Sequence, residues 1–288
     1  MISNTATTRR RWTRILPNVA EATIVYILLA ILVVVMLLPY AYILSSSFKD
    51  TFVLISIPPE LIPDKPTFDN YVHIAVDLPL VRWFINSVVV AVLVTLGNVL
   101  IDALTAYVFA RKQFFGRDVI FSMLLATVMI PSALLLIPSF LITNTLGLVN
   151  TYAGIIIPSL GGVVGVFLLR QFMESLPVEL EHAARIDGCS ELRVFWSIIL
   201  PLSKPALGTL AILVFTGEWN SLVWPLVVVE SKDLYTLPLG LALLSGEFQV
   251  NYGVTSAAAF ISVVPLMLVF LFLQRYFMEG LTVGAIKG

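Results

Sequence analysis

The chain has 288 residues, 59% of them apolar and only 12% charged, with a net charge of −1 at neutral pH. A soluble domain of this length carries about twice that share of charge, so the composition is that of an integral membrane protein. The near-zero net charge gives no electrostatic basis for a nucleic-acid partner, and a single cysteine, Cys189, excludes an intrachain disulfide. The metal-site patterns CxxC and HExxH are absent, so no metal ligand set is expected.

Six stretches are long and apolar enough to cross a bilayer, at roughly 22–46, 85–110, 118–142, 152–173, 204–229 and 255–277. They predict an all-α, polytopic fold in one transmembrane domain, residues 1–288. The first stretch is too long for the core of a cleavable signal peptide and is expected to remain as a span. Thirteen of the 17 lysines and arginines fall before the first span, between the second and third, around the fourth-to-fifth connection, or after the sixth. Lys49, Lys65, Arg82 and Lys232 alone fall on the other side. The positive-inside rule then places both termini and the 174–203 loop in the cytoplasm.

The first outer loop, 47–82, contains Pro58, Pro59, Pro63, Pro66 and Pro79. Proline favours extended segments and removes donors, so this reads as an ordered cap over the bundle, with a flexible linker as the alternative. In the second span Asp102 lies near Asn98. An ionisable group there costs about 2.5–3.5 kcal/mol on insertion scales unless paired or hydrated. Asp102 can line a translocation path or make an internally satisfied helix contact. Pro131, Pro138, Pro158, Pro225 and Pro265 sit inside spans, and Gly161 and Gly165 form a small-xxx-small pair. Broken helices are tolerated where freed carbonyls face protein or water, and small residues let helices pack closely. Both features suit a transporter, and both occur in inert bundles.

Residues 179–205 form a polar, charged block that does not belong in a bilayer. Pro177 suits a first helical turn, Ser175 and Glu179 can serve free amides, and Gly188 suits the left-handed position past a helix end. This predicts a short helix at 177–187 with Leu180, Ala183, Ala184 and Asp187 on one face. Two alanines there leave room for another surface. Ser190 and Glu191 open a second helix with Val194, Phe195, Ile198 and Ile199 on its apolar side, expected to break at Pro201 and Pro205. The loop either docks on a partner or is simply packed.

Further along, Glu218, Trp219 and Asn220 interrupt the fifth span. A carboxylate and an amide can bind sugar hydroxyls and an indole can stack on a sugar ring, or the three can shape a helix bend. Ser245-Gly-Glu-Phe-Gln-Val-Asn-Tyr-Gly253 presents Glu247, Gln249, Asn251 and Tyr252 in an outer loop that either meets a partner or merely connects. Trp12, Trp83, Trp196 and Trp224 read as interfacial anchors or packing groups.

Five stretches carry a family resemblance. They are the 179–205 block, Pro58-Pro-Glu-Leu-Ile-Pro63 through Asn70-Tyr71, Arg82-Trp-Phe-Ile-Asn-Ser87, Glu218-Trp-Asn-Ser-Leu-Val-Trp-Pro-Leu226 and Gln274 through Gly288. Together they resemble the permease subunits of bacterial ABC importers, in the carbohydrate (maltose-type) branch, whose 179–205 equivalent is the "EAA" loop. The resemblance implies a non-catalytic subunit that works with a second, homologous permease, two ATPase subunits and an extracytoplasmic solute-binding protein. It implies no cofactor on this chain, with ATP and Mg on the ATPases. No GxxxxGK[ST] loop occurs in the sequence. By this resemblance Glu181, His182, Ala183, Ala184, Asp187 and Gly188 couple to the ATPase. Asp102, Glu218, Trp219 and Asn220 are candidates for the path, and Glu247, Gln249, Asn251 and Tyr252 for binding-protein contact. Cys189 stands where the family usually has alanine, and His182 where it usually has glutamate, with Glu181 one place earlier. The solute is expected to be a sugar or oligosaccharide. Glycerol phosphate or a glycerophosphodiester is the alternative within the family. A proton-coupled transporter and a membrane enzyme using Asp102 and Glu218 are the rivals outside it.

Overall fold

The computed structural model describes residues 19–49, 62–76, 78–247 and 252–285. Among the described residues three helices are long and apolar enough to cross a bilayer unbroken: α1 (Val19–Ser46), α3 (Leu80–Arg111) and α14 (Tyr252–Ala285). Up to three more spans arise if bent helix pairs are each counted as one, although the third pair joins 191–202 to 204–219 and so differs from the expected 204–229. No strand occurs among the described residues.

The bends fall at prolines and glycines. The expected third span divides into α4 (Arg117–Ala126), a short 3-10 turn, and α5 (Ser132–Thr145), which meet at 102°. Pro131 causes this, because the residue before a proline is pushed out of helical space; Ile130 is extended at φ −82°, ψ 117°. The 14 residues of α5 reach only about 21 Å, short of a hydrocarbon core. The stretch expected to span at 118–142 is thus two short arms, interrupted at a proline that lies inside it. The fourth divides at Leu160–Gly162, where α6 (Tyr152–Ile156) and its 3-10 extension meet α7 (Val163–Glu174) at 46°. The fifth is α11 (Lys204–Trp219), interrupted at Asn220–Leu222 before α12 (Val223–Val228). Ahead of it, α9 (Glu191–Val194) runs through a π-helical turn at Phe195–Ile199 into α10 (Leu200–Leu202). Pro201 was expected to break this segment. The widened turn instead accommodates the proline, and the 77° bend falls at Ser203.

The core lies between α3, α7, α11 and α14. Toward the end carrying the 174–203 loop, Ala103, Ala106 and Tyr107 of α3 pack with Val166, Leu169 and Met173 of α7 and with Phe195 and Ile199. Toward the other end, Trp83, Phe215, Trp219 and Ala257 form a second cluster. At that end the expected loop 230–254 contains an apolar helix, α13 (Leu237–Glu247). It lies so close to Trp83 that a Cβ at Gly240 would come within 2.0 Å of the indole. The Arg82–Ser87 stretch fastens the approach to α13. Trp83 Nε1 donates to the Lys232 carbonyl at 2.8 Å, Asn86 Nδ2 to the Asp233 and Tyr235 carbonyls, and Ser87 Oγ accepts from the Leu237 amide. The first outer loop is described only in part, since 50–61 lie outside the described residues. Its second half forms α2 (Asp69–Val76), where buried Asn70 donates to the Ser47 and Lys49 carbonyls.

Candidate functional site

The 174–203 loop folds as two short helices against the end of α3. The first, α8 (Glu179–Ile186), is shorter than the expected 177–187, and neither Ser175 nor Glu179 caps it with a side chain. Ser175 Oγ donates to Phe172 O instead. Its end forms as the sequence dictates. Gly188 is left-handed at φ +79°, Gly188 N–H donates to Arg185 O, and Cys189 N–H reaches back to Ala184 O at 2.9 Å. These are the paired bonds of a Schellman end, whose apolar contact is supplied here by Cys189 beside Ala184. A small side chain is what this position holds.

The face of α8 differs from the expected one by about one residue of rotation. Glu181 and Ala184 are buried, whereas Glu179, His182, Ala183 and Ile186 point outward, with Leu180 and Asp187 also exposed. The expected alanine face is therefore split: Ala183 is open to a partner and Ala184 packs inward. Glu181, placed one position before the family's usual acid, faces the membrane helices. Its Oε1 lies 2.9 Å from Arg111 Nε of α3, with side chains 2% and 8% exposed. This contact is an ion pair, since the N–H does not line up on the oxygen. The other Arg111 nitrogen, Nη2, donates to the Leu176 carbonyl at 2.7 Å. Arg185 bridges Glu181 (3.3 Å) and Glu191 (3.1 Å). Glu191 also accepts from Lys112 and from the Tyr107 hydroxyl. Lys112 first, and the Tyr107 hydroxyl with it, hold the Glu191 carboxyl below the usual carboxylate range.

A second polar cluster lies where α6 gives way to α7. Gly161 is left-handed at φ +84°. Its N–H donates to Asn98 Oδ1 at 2.7 Å, and the Gly162 N–H to Asp102 Oδ1 at 2.9 Å. Asn98 Nδ2 donates to the Ser159 carbonyl. Asn98 and Asp102 thus supply the partners that the broken backbone lacks, as membrane burial requires. Asp102 is fully buried, so it closes a helix break and does not face an open path. Gly165 serves close packing, since a Cβ there would sit 2.1 Å from Asp102 Oδ2. Gly161, its expected packing partner, serves the turn instead.

Trp219 is also internal. It is buried, stacks on Phe215 at 5.8 Å, and donates from Nε1 to the Ser262 carbonyl of α14. No indole face is offered to a sugar. Glu218 is half-buried facing Ser159, and Asn220 is exposed at the end of α11, donating to Thr216 O.

Residues 103–283 match the model of the family described as "Binding-protein-dependent transport system inner membrane component". The chain belongs to this family. It is 41% identical over 227 residues to the arabinooligosaccharides transport system permease protein AraQ of Halalkalibacterium halodurans, covering 78% of this chain and 81% of that one. It is 35% identical over 263 residues to the trehalose/maltose transport system permease protein MalG of Thermococcus litoralis, covering 90% and 94%. Among solved structures it resembles a bacterial ABC transporter involved in importing the acidic polysaccharide alginate. That match has TM-score 0.79 and 25% identity, and covers 89% of this chain and 96% of the other.

In this permease the four outer-loop candidates fall only partly within the described residues. Glu247 ends α13, Gln249 and Asn251 lie outside the described residues, and Tyr252 opens α14 half-exposed. Of the tryptophans, Trp83 and Trp224 pack and donate to backbone carbonyls, Trp196 is exposed, and Trp12 lies outside the described residues. Residues missed in the sequence are Tyr107, Arg111 and Lys112, which enter it only as the end of a span and as charges that set orientation. The available signal was the pairing of that basic end with acids of the loop, among them Glu181 and Glu191.

Proposed function

We propose that this permease is the membrane subunit of an ATP-driven importer for a sugar or oligosaccharide, and that α8 is the element on which an ATPase subunit docks. The α8–α9 loop and both termini then lie in the cytoplasm, where the excess of lysine and arginine belongs. The observation that carries the reading is the outward face of α8. Ile186 is 86% exposed, with Val178 and Leu180 beside it, among Glu179, His182 and Arg185. An apolar residue that is neither packed inward nor free of charged neighbours fits a protein surface better than lipid. The sugar class rests on relatives named for arabinooligosaccharides and for trehalose/maltose.

In this mechanism the permease performs no bond chemistry. Partner ATPases close on ATP and Mg, α8 moves with them, and this subunit and a second, homologous permease switch from inward- to outward-facing. A solute-binding protein then releases its load into the path. Glu218 and Asn220, at the interruption of the fifth span, are the remaining candidates for touching the solute. The test is Ile186→Asp in the assembled transporter. It is expected to lower retention of the ATPase on the permease and to lower ATP-driven uptake by roughly tenfold or more, as loss of a central docking anchor does. Wild-type retention and uptake would assign this face to solvent. Identifying the solute held by the cognate binding protein tests the sugar class.

A further inference from the structure

The chain reaches α8 from α7 through Ser175–Val178 and leaves it for α9 through Asp187–Ser190, so no covalent link joins α8 to α3. Everything that ties α3 to this loop is a side chain. The Arg111 fork reaches Glu181 with Nε (2.9 Å) and the Leu176 carbonyl, just ahead of α8, with Nη2 (2.7 Å). Tyr107 and Lys112 hold Glu191 at the start of α9, and Arg185 closes the ring by touching both acids. Two turns further into the bundle, Asn98 and Asp102 of the same helix hold the start of α7. The helix α3 therefore grips α7 and α8 at both ends of the segment that leads into the loop. Arg111 thus holds the loop at two points with one side chain, by an ion pair to Glu181 and by a directed hydrogen bond from Nη2 to the Leu176 carbonyl, whereas a lysine offers a single point charge.

A buried ion pair of this kind is a poor way to gain stability, because desolvating both charges offsets much of their attraction. From this we infer that Arg111 is a positioning residue for coupling: through Glu181 it makes α3 move with α8, so that a displacement of α8 enters the bundle through α3 as well as along the chain into α7. The inference rests on the reading of α8 as the ATPase-docking element.

The experiment uses the complete transporter, with its partner subunits, in proteoliposomes. Three quantities are read: ATPase retention, solute imported, and ATP hydrolysed per solute. Arg111→Gln leaves Glu181 buried with a weaker partner and is expected to lower solute imported per ATP by roughly tenfold. Arg111→Lys is expected to recover only part of this, since it keeps the charge and loses the fork. The deciding variant is the double replacement Arg111→Met with Glu181→Met, which removes both charges at similar volume and leaves no unpaired ion. It is expected to retain the ATPase but still import poorly for the ATP consumed. Wild-type solute-to-ATP stoichiometry in the double variant would overturn the inference. So would loss of ATPase retention there, which would make the pair a brace for folding. If Ile186→Asp leaves ATPase retention unchanged, the docking assignment fails. The double variant's stoichiometry still reports on the joint, so the two failures are read separately.

Discussion

Helices α1 and α3 are alike in hydropathy and length yet opposite in their dealings with the rest of the chain. Nearly every side chain from Ile24 to Leu38 of α1 is exposed, and α1 packs chiefly on α14. The helix α3 buries Trp83, Asn86, Ser87, Asn98 and Asp102 and fastens the 232–237 and 152–162 stretches with them. Its polar residues fall where a neighbouring backbone is broken or looped: Asn86 beside 233–235, Asn98 and Asp102 beside 159–162, Arg111 beside Leu176. A polar group in an apolar span is costly alone and is retained where it satisfies another chain segment that would otherwise be costly too. The irregular backbone of this permease and the polar residues of α3 are two halves of the same requirement.

The sharpest way to break this comparison is at the α3–α7 seam. Gly165→Leu would drive side-chain atoms into Asp102 Oδ2 and into Leu210, whose Cδ1 would lie 2.8 Å from the new Cβ. It is expected to cost about 3 kcal/mol or more, measured as a fall in the melting temperature and in the yield of monodisperse protein in detergent. Asn86→Leu comes next. It strips the Asn86 partner from the Tyr235 carbonyl and from the Tyr152 hydroxyl, which donates to Asn86 Oδ1, and leaves the Asp233 carbonyl with Arg82 Nε alone. At about 1 kcal/mol for each buried group left unpaired, a loss of about 2–3 kcal/mol is expected, with faster hydrogen exchange in 231–237. A loss under about 0.5 kcal/mol would show that water replaces these bonds readily.

Gly188→Val tests whether the loop helix depends on backbone conformation alone, since open space surrounds the position a Cβ would take. The left-handed turn is expected to cost a β-branched residue about 1–2 kcal/mol, read as increased proteolysis within 186–192 while the spans remain inserted. The smallest effect belongs to α1. Leu32→Ala is expected to shift the stability of the isolated chain in detergent by no more than about 0.5 kcal/mol. A loss above about 1 kcal/mol would mean that α1 packs within the chain and would remove the contrast with α3.

Local signals in the sequence carried far. Apolar run lengths outlined the spans, Pro131 stands where one of them breaks, and Gly188 ended α8 where a left-handed residue was needed, because each of these is a property of a few adjacent residues. The angle of a break is not local: Pro131 accompanies a 102° turn and Pro265 lies inside a continuous helix. Which face of α8 points inward was decided by Arg111, 70 positions before Glu181, whose charge needed a buried partner. The same holds for Asp102, which a sequence shows only as an acid in a span. Its role comes from Gly162, whose amide is left free by a turn about 60 residues later and reaches it only when α7 packs on α3. Hydrophobicity along the chain thus determined that this protein crosses a membrane and roughly where. The pairing of buried polar groups across helices, which depends on which backbone amides and carbonyls the packing leaves unsatisfied, was decided only in the tertiary structure.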